Sequence, residues 1–114
     1  MKALADIPLA ENERRAIEAA GGVLRAGFPV EQVVLFGSKA RAAGDAESDL
    51  DLLVLTSRLF TWREEEALIR ALFDIELAHD VVISPLIVPT EEWTAGRYAV
   101  LPIHDEILRD GVAA

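Results

Sequence analysis

Residues 30 to 55, "VEQVVLFGSKARAAGDAESDLDLLVL", limit more tightly than any other stretch what this chain can fold into. Two β-branched, apolar runs, "VEQVVLF" at 30 to 36 and "SDLDLLVL" at 48 to 55, read as buried strands. A Gly-Ser turn ends the first run, and "SKARAA" after it can form a short helix. Side chains alternate along a strand, so Asp49 and Asp51 share one side while Leu50, Leu52 and Val54 take the other. Two carboxylates on neighbouring same-face positions repel, and aspartate is disfavoured in strands, so the pair is costly unless a positive charge is shared between them. Mg²⁺ answers that need, since it binds one or two carboxylates and completes its shell with water and phosphate oxygens. An aspartate at a strand entrance can also simply cap a loop and point into water. The preceding turn favours the first use: Gly37 and Ser38 open a helix-like segment where backbone N–H groups and a hydroxyl can cradle phosphate. Arg41 can add a charge-assisted contact to the same group.

Around these strands the pattern alternates. Ile17, Ala20, Leu24 and Phe28 fall at helical spacing, which predicts a helix from about Glu11 to Arg25, ended by Gly27 and Pro29. Thr61 is a candidate N-cap for a second long helix to about Ala78, with Leu68, Leu72 and Ile75 on one face. "DVVISPLIV" predicts a third strand, and Pro85 inside it predicts an edge position or a bulge, because proline cannot donate to the ladder. A short helix is expected from Thr90, and a last one from Pro102 to the stop at Gly111. The order helix, strand, strand, helix, strand, helix predicts an α/β (α+β) fold, a small mixed sheet flanked by helices. Trp62 and Trp93 are expected to pack on that sheet, with base stacking as their other possible use. His79 and His104 are twenty-five residues apart and lack the spacing of a zinc site.

With 114 residues the expectation is one domain, 1–114. The absence of cysteine excludes a disulfide framework and a cysteine-based zinc site, and fits a cytoplasmic home. No run of about 18 apolar residues and no signal-peptide core are present, so no membrane partner is expected. A formal net charge of −9 opposes attraction to a phosphate backbone, so nucleic acid is not expected as a partner. The same charge leaves room for a basic protein or for divalent cations.

"GSKARAAGDAESDLDLLV" resembles the signature of the minimal nucleotidyltransferases of the DNA polymerase β superfamily: Gly-Ser, then Ala-Arg, then Ser-Asp-x-Asp-Leu. "DVVISPLIVPTEEW" and "ILRDGV" are also similar to the small bacterial members. The resemblance implies a polymerase β-type nucleotidyltransferase core. It implies Asp49 and Asp51 as a metal pair with a third carboxylate on the neighbouring strand, for which Asp80 is the candidate and Glu76 the fallback. It further implies two Mg²⁺ ions, ATP as substrate, Gly37 and Ser38 on the β- and γ-phosphates with Arg41 in support, and Asp80 as base or as ligand on the nucleophile side. The acceptor it implies is a tyrosine of a HEPN-type toxin, for which the protein would act as antitoxin by transferring AMP. A catalytically idle toxin-neutralising module, a subunit modifying a small-molecule hydroxyl, and a homo-oligomer are alternatives that stay open. One departure stands out: many members have glycine directly after Ala-Arg, where this chain has Ala42, with Gly44 two residues later.

Overall fold

The computed structural model describes residues 1–44 and 48–114. Its centre is a five-stranded sheet in the order β1-β5-β2-β3-β4. The three long strands are β2 (Val30–Phe36), β3 (Leu50–Thr56) and β4 (Ile83–Pro89). β2 and β3 are antiparallel, with Phe36 opposite Asp51, whereas β3 and β4 are parallel, with Asp51 beside Ser84 and Leu52 beside Pro85. β4 is the terminal strand of the sheet, which accommodates the missing N–H donor of Pro85. On the other side, two short strands from the chain ends, β1 (Lys2–Ala3) and β5 (Val112–Ala113), extend the sheet beyond β2. The sequence pattern does not announce either of them.

The sheet has a thick layer on one face and a thin one on the other. α1 (Glu11–Gly27) and α3 (Trp62–His79) cover the first face, where Ile17, Leu24, Leu68 and Leu72 pack on Val33, Leu35, Leu50, Leu52 and Val54. On the second face, α4 (Thr90–Thr94) and α5 (Pro102–Asp110) bring Trp93 and Ile107 onto Val34, Leu53, Leu55 and Val88. The predicted alternation along β3 is therefore realised: even positions face the main core and odd positions the α5 side.

Local chemistry places the helix ends. Thr61 and Glu64 form a reciprocal cap on α3, the Thr61 hydroxyl accepting from Glu64 N–H at 3.2 Å and the Glu64 carboxylate accepting from Thr61 N–H at 2.9 Å. The two tryptophans part company. Trp93 is 5% exposed and stacks beside His104, with ring centroids 4.7 Å apart, as a residue packed on the sheet should. Trp62 does not pack on the sheet: it is 68% exposed at the first position of α3, with the Arg63 guanidinium over its ring. Helical phase explains this, since Leu68, Leu72 and Ile75 define the buried stripe and Trp62 lies off it. Among the described residues no helix is long and apolar enough to cross a membrane.

Candidate active site

The site begins where β2 ends. α2 (Gly37–Ala40) is a single turn that starts directly at Phe36, and the chain enters it through Gly37 at φ +76°. Only glycine suits this point, for two separate reasons. The dihedral lies in the left-handed region, and a Cβ there would come within 2.2 Å of Asp51 Oδ2. The close approach expected of this glycine is thus first of all an approach to Asp51, which brings the turn and the strand entrance into contact.

The turn is held from behind by an ion pair. Lys39 points away from the turn and meets the Glu13 carboxylate of α1 at 2.7 Å, each residue being only 7% exposed. Removing one partner of such a pair leaves a buried charge uncompensated and costs about 3–5 kcal/mol. Glu13 also accepts from Ala10 N–H at 2.9 Å, so one carboxylate closes the start of α1 and anchors α2. After α2 the chain turns sharply: Ser38 C=O accepts from Ala43 N–H at 2.9 Å and from Gly44 N–H at 3.3 Å. Ala42, the residue directly after Ala-Arg, sits at φ +57°. The departure noted in the sequence is real strain, because an L-residue with a Cβ disfavours that region.

Gly37, Ser38, Arg41, Asp51 and Phe36 line one cleft of about 350 Å³, together with Ile103, Glu106, Ile107 and Asp110 of α5. Asp49 precedes β3 in an exposed position, close enough for its charge to act on Asp51. Burial pushes the Asp51 carboxyl above its usual range, repulsion from Asp49 adds to the rise, and Arg41 works against both. A carboxylate pair whose mutual charge is incompletely compensated, beside a glycine turn too tight for a side chain, is a donor set that suits a hard divalent cation with a phosphate ligand.

Asp80 stands elsewhere. It is the residue that ends α3, in the left-handed conformation (φ 55°, ψ 52°), and it lines a separate pocket of about 550 Å³ with Asn12, Glu13, Ser48, Leu50 and Val82. Leu50 faces the main core, so this pocket opens on the face of the sheet opposite to Asp51. The fallback, Glu76, is committed: its carboxylate accepts from Ile83 N–H at 3.1 Å. Among the described residues no group of three histidine, cysteine or acidic side chains is placed to hold a metal ion. Among the described residues, Asp80 and Glu76 therefore do not share the cleft that Asp51 lines. The β4 residue beside Asp51 is Ser84, and among the described residues the other carboxylates lining the Asp51 cleft, Glu106 and Asp110, come from α5. Sequence reasoning passed over these two, although Ile103, Glu106, Ile107 and Asp110 recur at the i, i+3, i+4, i+7 spacing of one helix face.

A glycine-serine turn packed against an Asp-x-Asp strand entrance, on a mixed sheet backed by two helices, defines a nucleotidyltransferase-type core. The polymerase β nucleotidyltransferase family matches residues 22–91, and the chain belongs to it. A Methanocaldococcus jannaschii protein named "putative protein adenylyltransferase" is 40% identical over 58 residues, a match that spans 51% of this chain and 59% of that relative. A solved structure described as a "putative minimal nucleotidyltransferase" superposes with a TM-score of 0.60 at 25% identity, covering 89% of this chain and 91% of that one. A toxin–antitoxin crystal structure with AMP-PNP shares the fold, with a TM-score of 0.60 at 15% identity over 91% of this chain and 72% of that one.

Proposed function

We propose that this protein transfers a nucleoside monophosphate, AMP from ATP, to a hydroxyl of a partner protein, with Asp49 and Asp51 holding a divalent cation. The observation that carries this reading is the convergence of Gly37, Ser38 and Arg41 with Asp51 in one cleft, with Asp49 adjacent. The turn and Arg41 would hold the triphosphate tail. Mg²⁺ at the aspartates, when bound, would neutralise charge on the phosphate oxygens. The Glu13–Lys39 pair keeps the turn in place, so the phosphates meet a preorganised site. Because Asp80 stands apart, the reading requires one cation at the aspartate pair and assigns Asp80 no step.

A protein acceptor is supported by the name of the archaeal relative, and an antitoxin setting by the shared fold of the toxin–antitoxin structure, crystallised with AMP-PNP. Within that setting we take the acceptor to be a tyrosine of a HEPN-type toxin in the cytoplasm. The net charge of −9 suits a basic protein partner better than a nucleic acid. Calorimetry of ATP binding tests the site. Binding is expected with Mg²⁺ and should be lost in EDTA, because two carboxylates repel a triphosphate unless a cation bridges them. Equal affinity in both conditions would remove the metal from the reading.

A further inference from the structure

α5 sets carboxylates into a cleft that the reading above gives to a triphosphate. Like charge facing an anionic ligand weakens its binding, so Glu106 and Asp110 work against the substrate they would line. Asp110 is already engaged, its carboxylate accepting from the Arg109 guanidinium at 3.1 Å. Glu106 is not: among the described residues it has no hydrogen bond and no ion pair, and it is exposed to the cleft. Ile103 and Ile107, on the same helix face, pack against the second sheet face and fix the direction in which Glu106 projects. Asp80, the expected base, opens on the opposite face, and Ser84 beside Asp51 offers only a hydroxyl. α5 also lies outside residues 22–91, the part matched by the family, so this wall of the cleft is supplied by the chain's own C-terminal helix.

Resting on the proposed transfer reaction, we propose that Glu106 is the general base that takes the proton of the acceptor hydroxyl. The acceptor oxygen forms its new bond to the α-phosphorus as its O–H proton passes to the Glu106 carboxylate. The bond from the α-phosphorus to the bridging oxygen breaks, and pyrophosphate leaves with that electron pair. Glu106 then returns the proton to solvent. Among the described residues, the charged groups around it are Arg41 and Asp51 on the opposite wall and Asp105, Arg109 and Asp110 on its own helix.

The test compares the wild-type chain with Glu106→Gln and Glu106→Asp. It measures pyrophosphate release from Mg-ATP, with water or a series of ring-fluorinated N-acetyltyrosinamides as acceptor, and Mg-ATP affinity by calorimetry. For a base, Glu106→Gln should lower kcat by about 100-fold or more, with Glu106→Asp retaining part of the rate. Its acidic pH limb should flatten, and the loss should shrink as the phenol becomes more acidic. Mg-ATP affinity should hold or improve, since a negative charge has left the cleft. An unchanged kcat, a loss that is the same for every phenol, or a wild type that binds Mg-ATP without releasing pyrophosphate to any acceptor overturns the assignment. If instead the wild type fails to bind Mg-ATP at all, it is the nucleotide site itself that falls.

Discussion

Two corners of this sheet end in an aspartate, and they are built to opposite effect. At the β2–α2–β3 corner the chain passes through Ala42 at φ +57° and reaches Asp51 within a cleft. At the α3–β4 corner it passes through Asp80 itself at φ 55°. These are the two non-glycine residues with positive φ among the described residues. In the first corner the strain lies in a loop residue and the aspartate is left to project from a strand. In the second the aspartate is the turn, its backbone N–H donating to Glu76 C=O to close the helix. An acidic residue beside a strand is thus not enough to make a site: what matters is which atoms of it the fold has already used.

The two corners should differ most when Asp51 is changed. Asp51→Asn should reduce nucleotidyl transfer at least ~100-fold, because it removes charge where the cation and phosphates would meet. The fold should survive it, and stability carries a sign that can be checked. The carboxyl's folded value is raised above 3.8, so its ionised form destabilises the native state, an effect absent below pH 3.8 and complete once pH exceeds the folded value. Melts of the variant should therefore match the wild type near pH 3 and run higher than it at pH 7. A variant that unfolds at pH 7 would make Asp51 a structural residue, and the contrast with Asp80 would vanish.

Much of the first corner was legible because it is local. Gly37, Ser38, Arg41, Asp49 and Asp51 lie within fifteen residues, and strand periodicity alone puts Asp51 opposite to Leu50 and Leu52. The second corner was less legible, because Asp80 ends α3 and β4 begins only at Ile83. Whether Asp80 starts the strand or ends the helix depends on one pair of dihedrals, which spacing does not reveal. The α5 wall needed tertiary packing to show that Ile103 and Ile107 land on the second sheet face and bring Glu106 into the cleft that Asp51 also lines. β1 and β5 were invisible for another reason: two-residue strands have no periodicity, and they pair only because the fold brings the chain ends together.

Ala42 carries the strain of the first corner on the loop side. A side chain in the left-handed region costs about 1–2 kcal/mol, and glycine returns part of that through the greater entropy of its unfolded state. Ala42→Gly should therefore stabilise the protein by about 0.5–1 kcal/mol, a rise of several degrees in Tm. Mg-ATP affinity should change little if the turn already holds its working shape. A fall in Tm would mean that Ala42 makes packing contacts worth more than its strain.

The smallest effect is expected at Asp80, and it decides whether the two corners really differ. Glycine is the usual occupant of a left-handed position after a helix, and aspartate tolerates that region better than alanine does, so the gain from Asp80→Gly should be about 0.5 kcal/mol. The Asn12 amide donates to the carbonyls of His79 and Asp80, at 2.9 and 3.5 Å, and those backbone contacts survive the substitution. Nucleotidyl transfer and Mg²⁺ dependence should stay within about twofold of the wild type, since Asp80 opens on the face away from the cleft. Chemical denaturation and a transfer assay on one preparation check both halves. A large loss of transfer with a fold as stable as before would return Asp80 to the site, and would require α3 and β4 to rearrange when nucleotide binds.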